Sequence, residues 1–168
     1  MLPVNLKRFA KKLSLTRLSF RKFLNATEKN PPPNIDKLTP IIEAEVWREI
    51  DCVTCANCCK VMTPTFTAQD LKRIAPHFGQ TPKQFSAQWL KKDSNNDMVN
   101  KIQPCQFLNL HTNLCSIYSI RPADCAGFPH LSKPKWEQYA HVHKQNIDYC
   151  PATHKMVEKM IDHFNAVG

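Results

Sequence analysis

Half of the chain's eight cysteines fall within one short segment, Cys52-Val-Thr-Cys55-Ala-Asn-Cys58-Cys59. Two residues between cysteines is the spacing at which the thiolates of one segment can wrap a single metal ion or cluster. On a continuous helix, Cys52, Cys55 and Cys59 would lie within about 60° of one another, whereas in a looser turn Cys58 would replace Cys59. The spacing therefore predicts a segment whose folding is organised by metal ligation.

Four more cysteines follow in the second half of the chain. Cys105 and Cys115 flank a predicted turn and can face one another, while Cys125 and Cys150 lie near prolines, which hold the backbone still around a ligand. Any one of them taken alone would be interpreted as a small buried hydrophobe. Together with the first segment they define the candidate metal ligands, which are Cys52, Cys55, Cys58, Cys59, Cys105, Cys115, Cys125 and Cys150.

The predicted compartment favours ligation over disulfides. The start Met1-Leu-Pro-Val-Asn-Leu-Lys-Arg is basic, but no apolar run follows it, so we expect no secretory signal and a cytoplasmic location. Thiols stay reduced there, although a hidden signal would allow four disulfide bridges instead. With three glycines in the chain, the glycine-rich loops that bind nucleotide phosphates are excluded. No stretch reaches the roughly 18–20 apolar residues of a membrane span.

The donor chemistry narrows the choice of metal. Ligation by thiolates alone excludes Mg²⁺ and Ca²⁺ and favours Zn²⁺, iron–sulfur or Cu(I). Eight thiolates could fill two four-cysteine zinc sites, or hold one iron–sulfur cluster with four cysteines to spare. The Cys-x₂-Cys-x₂-Cys spacing and the Cys150-Pro151 pair are ferredoxin-like. We therefore favour an iron–sulfur cluster or iron slightly over zinc as the cofactor.

Histidines and charged residues could complete such a site. His130 follows Phe128-Pro129 and is the best placed, as a ligand or an outer donor. His141 and His143 would share one face of a strand predicted over 136–142, where they would either clamp a metal or lie as exposed polar residues. We expect the other histidines at the surface: His77, His111, His154 and His163.

Arg121 and Asp124 surround Cys125. Arg121 would either donate to cluster sulfurs or to an anionic substrate, or form an ion pair or helix cap with Asp124, and we favour the structural interpretation. Nearby aromatic residues are expected to pack around the site, namely Phe107, Tyr118 and Phe128.

Hydrophobic periodicity predicts an α-rich α+β fold, a small irregular metal-stapled domain with several helices and a short hairpin. Capping signals at Thr67 and at Thr81-Pro82 predict two of the helix starts. The predicted helices cover 5–28, with a break possible near 14–16, then 38–50, 67–77, 81–92 and 151 onward. The hairpin is predicted over 99–118 with its turn at 111–113, and irregular loops over 93–97 and 119–135.

Positive charge is concentrated at one end of the chain. Residues 1–30 carry eight of the lysines and arginines but a single acidic residue, Glu28. We therefore predict a basic amphipathic helix and proline-rich linker over 1–33, and a cysteine-cluster domain over 34–168. Residues 5–29 could bind nucleic acid or an anionic membrane surface, but we favour a helix that packs its apolar stripe and leaves its lysines in water.

The ordered motifs CxxCxxCC, PCxFL, CxIY, RPxxC and FP resemble the YkgJ-like bacterial cysteine-cluster family, which is described as a zinc- or iron-chelating domain. Flagellin lysine methylases are similar in the same region. The resemblance covers about residues 50–150 and implies a chelating set of Cys52, Cys55, Cys58, Cys59, Cys105, Cys115 and Cys125. Family members often have glycine before the Cys-Cys pair; here Asn57 stands there, and asparagine can also adopt a left-handed turn.

These observations favour a cytoplasmic metal-chelating protein, for storage, delivery or sensing. One alternative is an iron–sulfur-dependent enzyme related to the flagellin lysine methylases. The sequence offers neither paired carboxylates at catalytic spacing nor a nucleophile elbow, so whether the chain is an enzyme stays open. A second alternative is a zinc-stabilised nucleic-acid-binding module with a basic arm, whose binding would weaken steeply with salt. The sequence identifies no protein partner.

Overall fold

The computed structural model describes residues 4–133 and 135–167. They divide into two compact units. The helical unit takes the described residues up to Cys55 and from Pro129 on, and the loop-rich unit takes Ala56–Phe128. The division after Cys55 falls inside the first cysteine segment. The domain ranges 1–33 and 34–168 stay a prediction, and they include residues 1–3, 134 and 168, which lie outside the described residues.

Helices are the main regular elements of both units, and short 3-10 helices occur at Ala75–Phe78 and Tyr118–Ile120. In chain order the other elements are α1 (Leu6–Lys29), α2 (Ile35–Glu49), α3 (Cys52–Cys55), α4 (Asn57–Val61), α5 (Ala68–Ile74), α6 (Pro82–Trp89), β1 (Leu90–Lys92), β2 (Met98–Asn100), α7 (Ala123–Gly127), α8 (Trp136–Asn146) and α9 (Pro151–Val167). The predicted α-rich α+β class with one short hairpin is confirmed. Within the described residues, no helix is long and apolar enough to cross a bilayer.

Helix α1 confirms the predicted basic helix. Asn5 caps it, because its side chain accepts a hydrogen bond from the backbone N–H of Arg8 at 2.9 Å. The helix continues through Ser14 and Thr16, whose hydroxyls donate to carbonyls one turn earlier and so do not interrupt it. Its inward side packs on α8 and α9 and buries Phe20, Leu24 and Thr27.

Helix α2 packs on α9 and begins three residues before its predicted start at Leu38. Pro40 lies inside it and has no N–H to donate to the carbonyl one turn earlier. The hydroxyl of Thr39 donates to that carbonyl, on Asp36, at 3.4 Å. Ion pairs then join the two helices, with Lys159 contacting Glu45 at 2.9 Å and Glu49 at 3.0 Å.

The strand predicted over 136–142 is wrong, because these residues form α8. The aromatic and β-branched residues of this segment favour a strand locally. Burial follows a helical period instead, since Trp136, Ala140 and His143 are all buried one turn apart. The Nε1–H of Trp136 donates to Thr27 Oγ1 at 3.0 Å, which connects α8 to α1.

Both predicted capping signals in the loop-rich unit are confirmed. Thr67 forms a capping box with Asp70 at the start of α5, and Thr81 forms one with Gln84 at the start of α6. Helix α6 ends at Trp89, before the predicted end at Lys92. The last three residues of the predicted helix form β1 instead.

The hairpin is displaced from its predicted position. β1 pairs antiparallel with β2, so the predicted polar loop 93–97 is the hairpin turn. Within the predicted hairpin 99–118, an isolated bridge between Leu108 and Cys115 closes a six-residue loop that includes the predicted turn at 111–113. The predicted loop 119–135 is also more regular than expected, since it contains α7; its Pro134 lies outside the described residues.

The loop-rich unit is organised around aromatic side chains. Phe85 and Phe107 stack with ring centroids 6.1 Å apart, and Phe66, Phe78 and Trp89 surround them. Cys105 and Cys115 pack against this cluster. The aromatic core therefore packs against two of the candidate ligands. Phe107 belongs to this core, in agreement with the expectation that it packs around the site.

Candidate metal centre

The first cysteine segment is not one helix. Helix α3 ends at Cys55 and α4 begins at Asn57, because Ala56 between them is left-handed, with φ +47°. The continuous-helix geometry considered for Cys52, Cys55 and Cys59 is therefore wrong. The left-handed residue is Ala56 rather than Asn57, which has entered the next helix.

Asp51 fixes the start of α3. Its carboxylate accepts from the N–H of Val53 at 3.0 Å, and its carbonyl accepts from the N–H of Cys55 at 3.2 Å. An aspartate before a one-turn helix is a recognisable capping signal. It sets the backbone from which Cys52 and Cys55 project.

Four thiols of the loop-rich unit lie within electrostatic reach of one another: Cys59, Cys105, Cys115 and Cys125. We call these four residues the thiol tetrad. Burial raises the pKa of the last three, and the negative charge of Cys59 raises each further. Cys125 is also affected by Cys105 and Cys115. The structure thus groups residues from four separate segments, of which the first and the last are 66 positions apart in the sequence.

Backbone hydrogen bonds tie the tetrad's segments together. The N–H of Cys105 donates to the carbonyl of Cys59 at 2.8 Å. The bridge between Leu108 and Cys115 then brings the next segment alongside, and the N–H of Ser116 donates to Phe107 at 2.8 Å. Three of the four cysteines are therefore held in place by main-chain contacts, independently of their side chains.

Cys59 is the most acidic thiol of the tetrad. A hydrogen bond with Cys58, whose Sγ lies 3.9 Å from its own, lowers the pKa of Cys59 to about 7. Burial opposes this shift, and the positive charge of Lys60 assists it. A thiol with this pKa is substantially deprotonated near neutrality, which is the state that binds metal.

Asn100 is a site residue that the sequence analysis missed. It is buried in β2, and its side-chain amide donates to Cys105 Sγ at 3.2 Å. Its own N–H donates to Thr63 Oγ1 at 2.9 Å. A hydrogen bond of this kind stabilises a thiolate. The available signal was an asparagine in an otherwise apolar strand, which does not by itself identify a partner.

Asp124 and Arg121 have structural contacts, but not with each other among the described residues. The carboxylate of Asp124 accepts from the N–H of Thr65 at 3.0 Å, which fixes α7 beside the segment that follows α4. Arg121 lies over the ring of Tyr118 at 4.0 Å and donates to its carbonyl. The predicted ion pair or shared cap is therefore wrong. Arg121 still affects the site, since its positive charge offsets part of the rise that burial causes in the pKa of Cys115.

The remaining predicted ligands lie in the helical unit, apart from Cys58, which adjoins the tetrad. Cys55 and Cys150 are buried, and Cys52 is exposed. Burial raises the pKa of Cys150, a hydrogen bond with Thr153 lowers it, and the charge of Cys55 raises it further. Cys55 and Cys150 are therefore electrostatic neighbours, although they lie far apart in sequence.

The histidine clamp is wrong. On helix α8, His141 and His143 are about 200° apart around the axis, so they cannot share a face. His143 is buried against Trp136, with ring centroids 4.8 Å apart, and burial lowers its pKa to about 4. His130 has its ring 6.1 Å from that of Tyr139, and its role as a ligand stays a prediction.

His154 was expected at the surface but is 3% exposed. It lies between Phe9 and Phe20 of α1, and its Nε2 is 2.8 Å from Thr16 Oγ1. Burial lowers its pKa to about 4. The other three histidines expected at the surface are exposed, namely His77, His111 and His163.

Among the side chains that the structure describes, no three from His, Cys, Asp or Glu converge closely enough to hold a metal ion as they stand. The thiol tetrad is thus a neighbourhood of sulfur donors and not a closed coordination sphere. Its chemistry still fits a soft metal, because all four donors are thiols and an amide N–H is directed at one of them.

Comparison with known proteins agrees with this donor chemistry. No curated protein and no solved structure matches the chain significantly. One family model matches residues 51–153, a range that includes all eight cysteines and more than half of the chain. The chain belongs to this CxxCxxCC family, whose description is "putative zinc- or iron-chelating domain".

Proposed function

We propose that the loop-rich unit chelates one metal centre through the thiolates of Cys59, Cys105, Cys115 and Cys125. The observation that carries this proposal is the grouping of four partly buried thiols, whose segments are held together by the hydrogen bond from Cys105 to Cys59 and the bridge at Cys115 and whose charges affect one another. Four thiolates cannot all be charged at close range without a cation, because each raises the pKa of the others. A bound metal reverses that penalty, deprotonates the thiols and releases their protons to solvent.

The occupant we propose is iron, held as an iron–sulfur cluster. The number of thiols in the tetrad supports it, since such clusters are usually held by four cysteines. The N–H of Asn100 adds a donor to Cys105, and hydrogen bonds to sulfur are among the features that tune these centres. Zinc would use the same donors and is the other outcome of the test below.

The thiols of the helical unit form a second group in this proposal. Cys55 and Cys150 are buried neighbours, and Cys52 lies one turn before Cys55 on α3. With Cys58 they complete the eight predicted ligands. All eight need to be reduced in order to bind, so we propose a cytoplasmic location.

The test is to purify the protein without oxygen and to combine metal analysis with visible absorption. A brown protein that contains iron and acid-labile sulfide would support an iron–sulfur cluster. A colourless protein that contains zinc would support the same chelating site with zinc as its metal. The variants Cys59→Ser and Cys125→Ser should each lose the metal of the tetrad.

Cys52→Ser is the matched control, because it makes the same change on an exposed residue of the helical unit. It should retain the tetrad's metal. Full metal content in both Cys59→Ser and Cys125→Ser would overturn the proposed site. Equal loss in all three variants would contradict a centre confined to the tetrad.

A further inference from the structure

Helix α1 exposes two large apolar side chains. Leu15 is 78% exposed and Leu18 is 84% exposed, the highest values among the large hydrophobic residues that the structure describes. At 100° per residue they share one face with four lysines, within about 80° of arc. We call this set the outward face of α1, and its members are Lys7, Lys11, Leu15, Leu18, Lys22 and Lys29.

The two leucines are not needed for packing within the helical unit. The opposite side of α1 supplies the buried residues, and its three phenylalanines also turn inward. Phe9 and Phe20 contact the ring of His154, and Phe23 lies 6.2 Å from Phe164. Leu15 and Leu18 therefore stay outside the apolar contacts that α1 makes within the helical unit.

The cations of α1 divide between its sides. Three on the flanks between the outward face and the packed side are neutralised, because Lys12 pairs with Glu158 of α9, and Arg17 and Arg21 both pair with Asp148, which lies between α8 and α9. The lysines of the outward face form no ion pair within residues 4–133 and 135–167. The single acidic residue of α1 is Glu28, which lies outside that face and pairs with Lys144. The unpaired positive charge of this face is complementary to an anionic partner.

We propose that the outward face of α1 binds an anionic lipid surface, with the helix lying along the membrane plane. Lysines beside exposed leucines are the pattern of helices that insert apolar side chains at the headgroup level while their cations meet acidic lipids. Nucleic acid fits less well, because single-strand binding uses exposed aromatic rings, and the aromatic rings of α1 are packed inward. The leucines would also have no role against phosphates.

The test is co-sedimentation of the full chain with vesicles. Vesicles of phosphatidylcholine mixed with phosphatidylglycerol should bind the protein, and vesicles of phosphatidylcholine alone should bind it much less. Raising the ionic strength to about 1 M, where the screening length falls to about 3 Å, should remove most of the binding. Equal binding to both kinds of vesicle would overturn the proposal.

Two double variants separate the apolar and the charged contributions. Leu15→Gln with Leu18→Gln should weaken binding at least about tenfold, and Lys11→Gln with Lys22→Gln should weaken it about 30-fold. Glutamine has a helix propensity close to that of leucine and lysine, so the helicity measured by circular dichroism should not change.

The matched controls lie outside α1. Lys72→Gln with Lys91→Gln changes two exposed lysines of the loop-rich unit, and Ile41→Gln changes an exposed apolar residue of α2. Both should bind vesicles like the wild type. A loss in the lysine control as large as that in the α1 variant would overturn the proposed face. Binding to duplex DNA without binding to anionic vesicles would overturn it in favour of nucleic acid.

Discussion

The two units of the molecule are stabilised in different ways. The helical unit has four helices of 11 to 24 residues, which bury apolar faces against one another and are linked by ion pairs. In the loop-rich unit, the longest helix has eight residues and each strand has three. Short elements of this kind form few internal hydrogen bonds. The helical unit has the core of an ordinary small domain, whereas the loop-rich unit depends more on its aromatic cluster and on its thiols.

Metal removal is the largest expected effect and separates the two units most directly. A structural Zn²⁺ contributes on the order of 10–16 kcal/mol to folding, which is comparable to or larger than the roughly 5–15 kcal/mol stability of a whole domain. We expect the Cys59→Ser variant to lose protection from hydrogen exchange across Ala56–Phe128, while α1, α2, α8 and α9 keep most of theirs.

Hydrogen exchange measured by mass spectrometry on peptic peptides reports the protection of each segment separately, so the two units can be compared in the same experiment. Cys52→Ser again serves as the control, and it should keep the protection of the loop-rich unit. An equal loss of protection in both units would show that they unfold together, and the distinction drawn between them would fail.

Acidification should act on the helical unit. Burial lowers the pKa of His143 and His154 from the ordinary value of 6.5 to about 4. The unfolded chain therefore binds protons between about pH 6.5 and pH 4 that the folded chain does not bind. The free energy of unfolding is therefore highest above about pH 6.5, the ordinary histidine pKa, and it falls as the pH drops below that value. At pH 5 the loss should be on the order of 2 kcal/mol for each histidine.

Denaturant unfolding at pH 7 and pH 5 checks this expectation. His143→Phe keeps a ring against Trp136 and removes the titration, so its stability should depend less on pH than that of the wild type. A wild-type pH dependence in His143→Phe would show that this histidine is not held neutral by burial.

Asn100 offers a smaller test, within the loop-rich unit. Asn100→Asp keeps the shape of the side chain but replaces the N–H that faces Cys105 with a carboxylate oxygen. A negative oxygen beside a thiolate disfavours the charged ligand, and residues that support ligands in this way typically change metal affinity by 10–100-fold, as an order of magnitude (~1.4–2.8 kcal/mol).

The measurement is competition with a chelator of known affinity. Asn95→Asp makes the same change in the exposed turn between β1 and β2 and should retain wild-type affinity. Equal metal affinities for Asn100→Asp and Asn95→Asp would show that Asn100 does not support metal binding.

The difference between the units also explains which predictions from the sequence were confirmed. Features set by neighbouring residues were predictable, such as the capping boxes at Thr67 and Thr81 and the amphipathic helix α1. The strand predicted over 136–142 was wrong because its composition favours one period and its burial follows another. Trp136 contacts Thr27 and Asp36, which lie about 100 residues away in sequence, so the local pattern could not reveal that choice.

The predictions about the candidate site also separate into those that depend on neighbouring residues and those that depend on the fold. The sequence predicts all eight cysteines as candidate ligands, because residue type and local spacing can be recognised without the fold. It does not predict their grouping, since Cys55 and Cys59 are four residues apart and belong to different units. Asn100 was missed for the same reason, because its contact with Cys105 depends on how the hairpin and the following loop pack.

The smallest effect concerns the turn within the first cysteine segment. Ala56 and Ala75 are both buried alanines of the loop-rich unit, but Ala56 has φ +47° and Ala75 has φ −56°. Replacing either by glycine removes one methyl group from the core, which costs about 1 kcal/mol. Only at Ala56 does the change also relieve a left-handed conformation that costs a side-chain-bearing residue about 1–2 kcal/mol. Ala56→Gly should therefore destabilise the metal-loaded protein by about 1 kcal/mol less than Ala75→Gly in denaturant unfolding. Equal losses would mean that the chain between Cys55 and Cys58 does not need the left-handed turn, and the two short helices would then have no local reason to separate there.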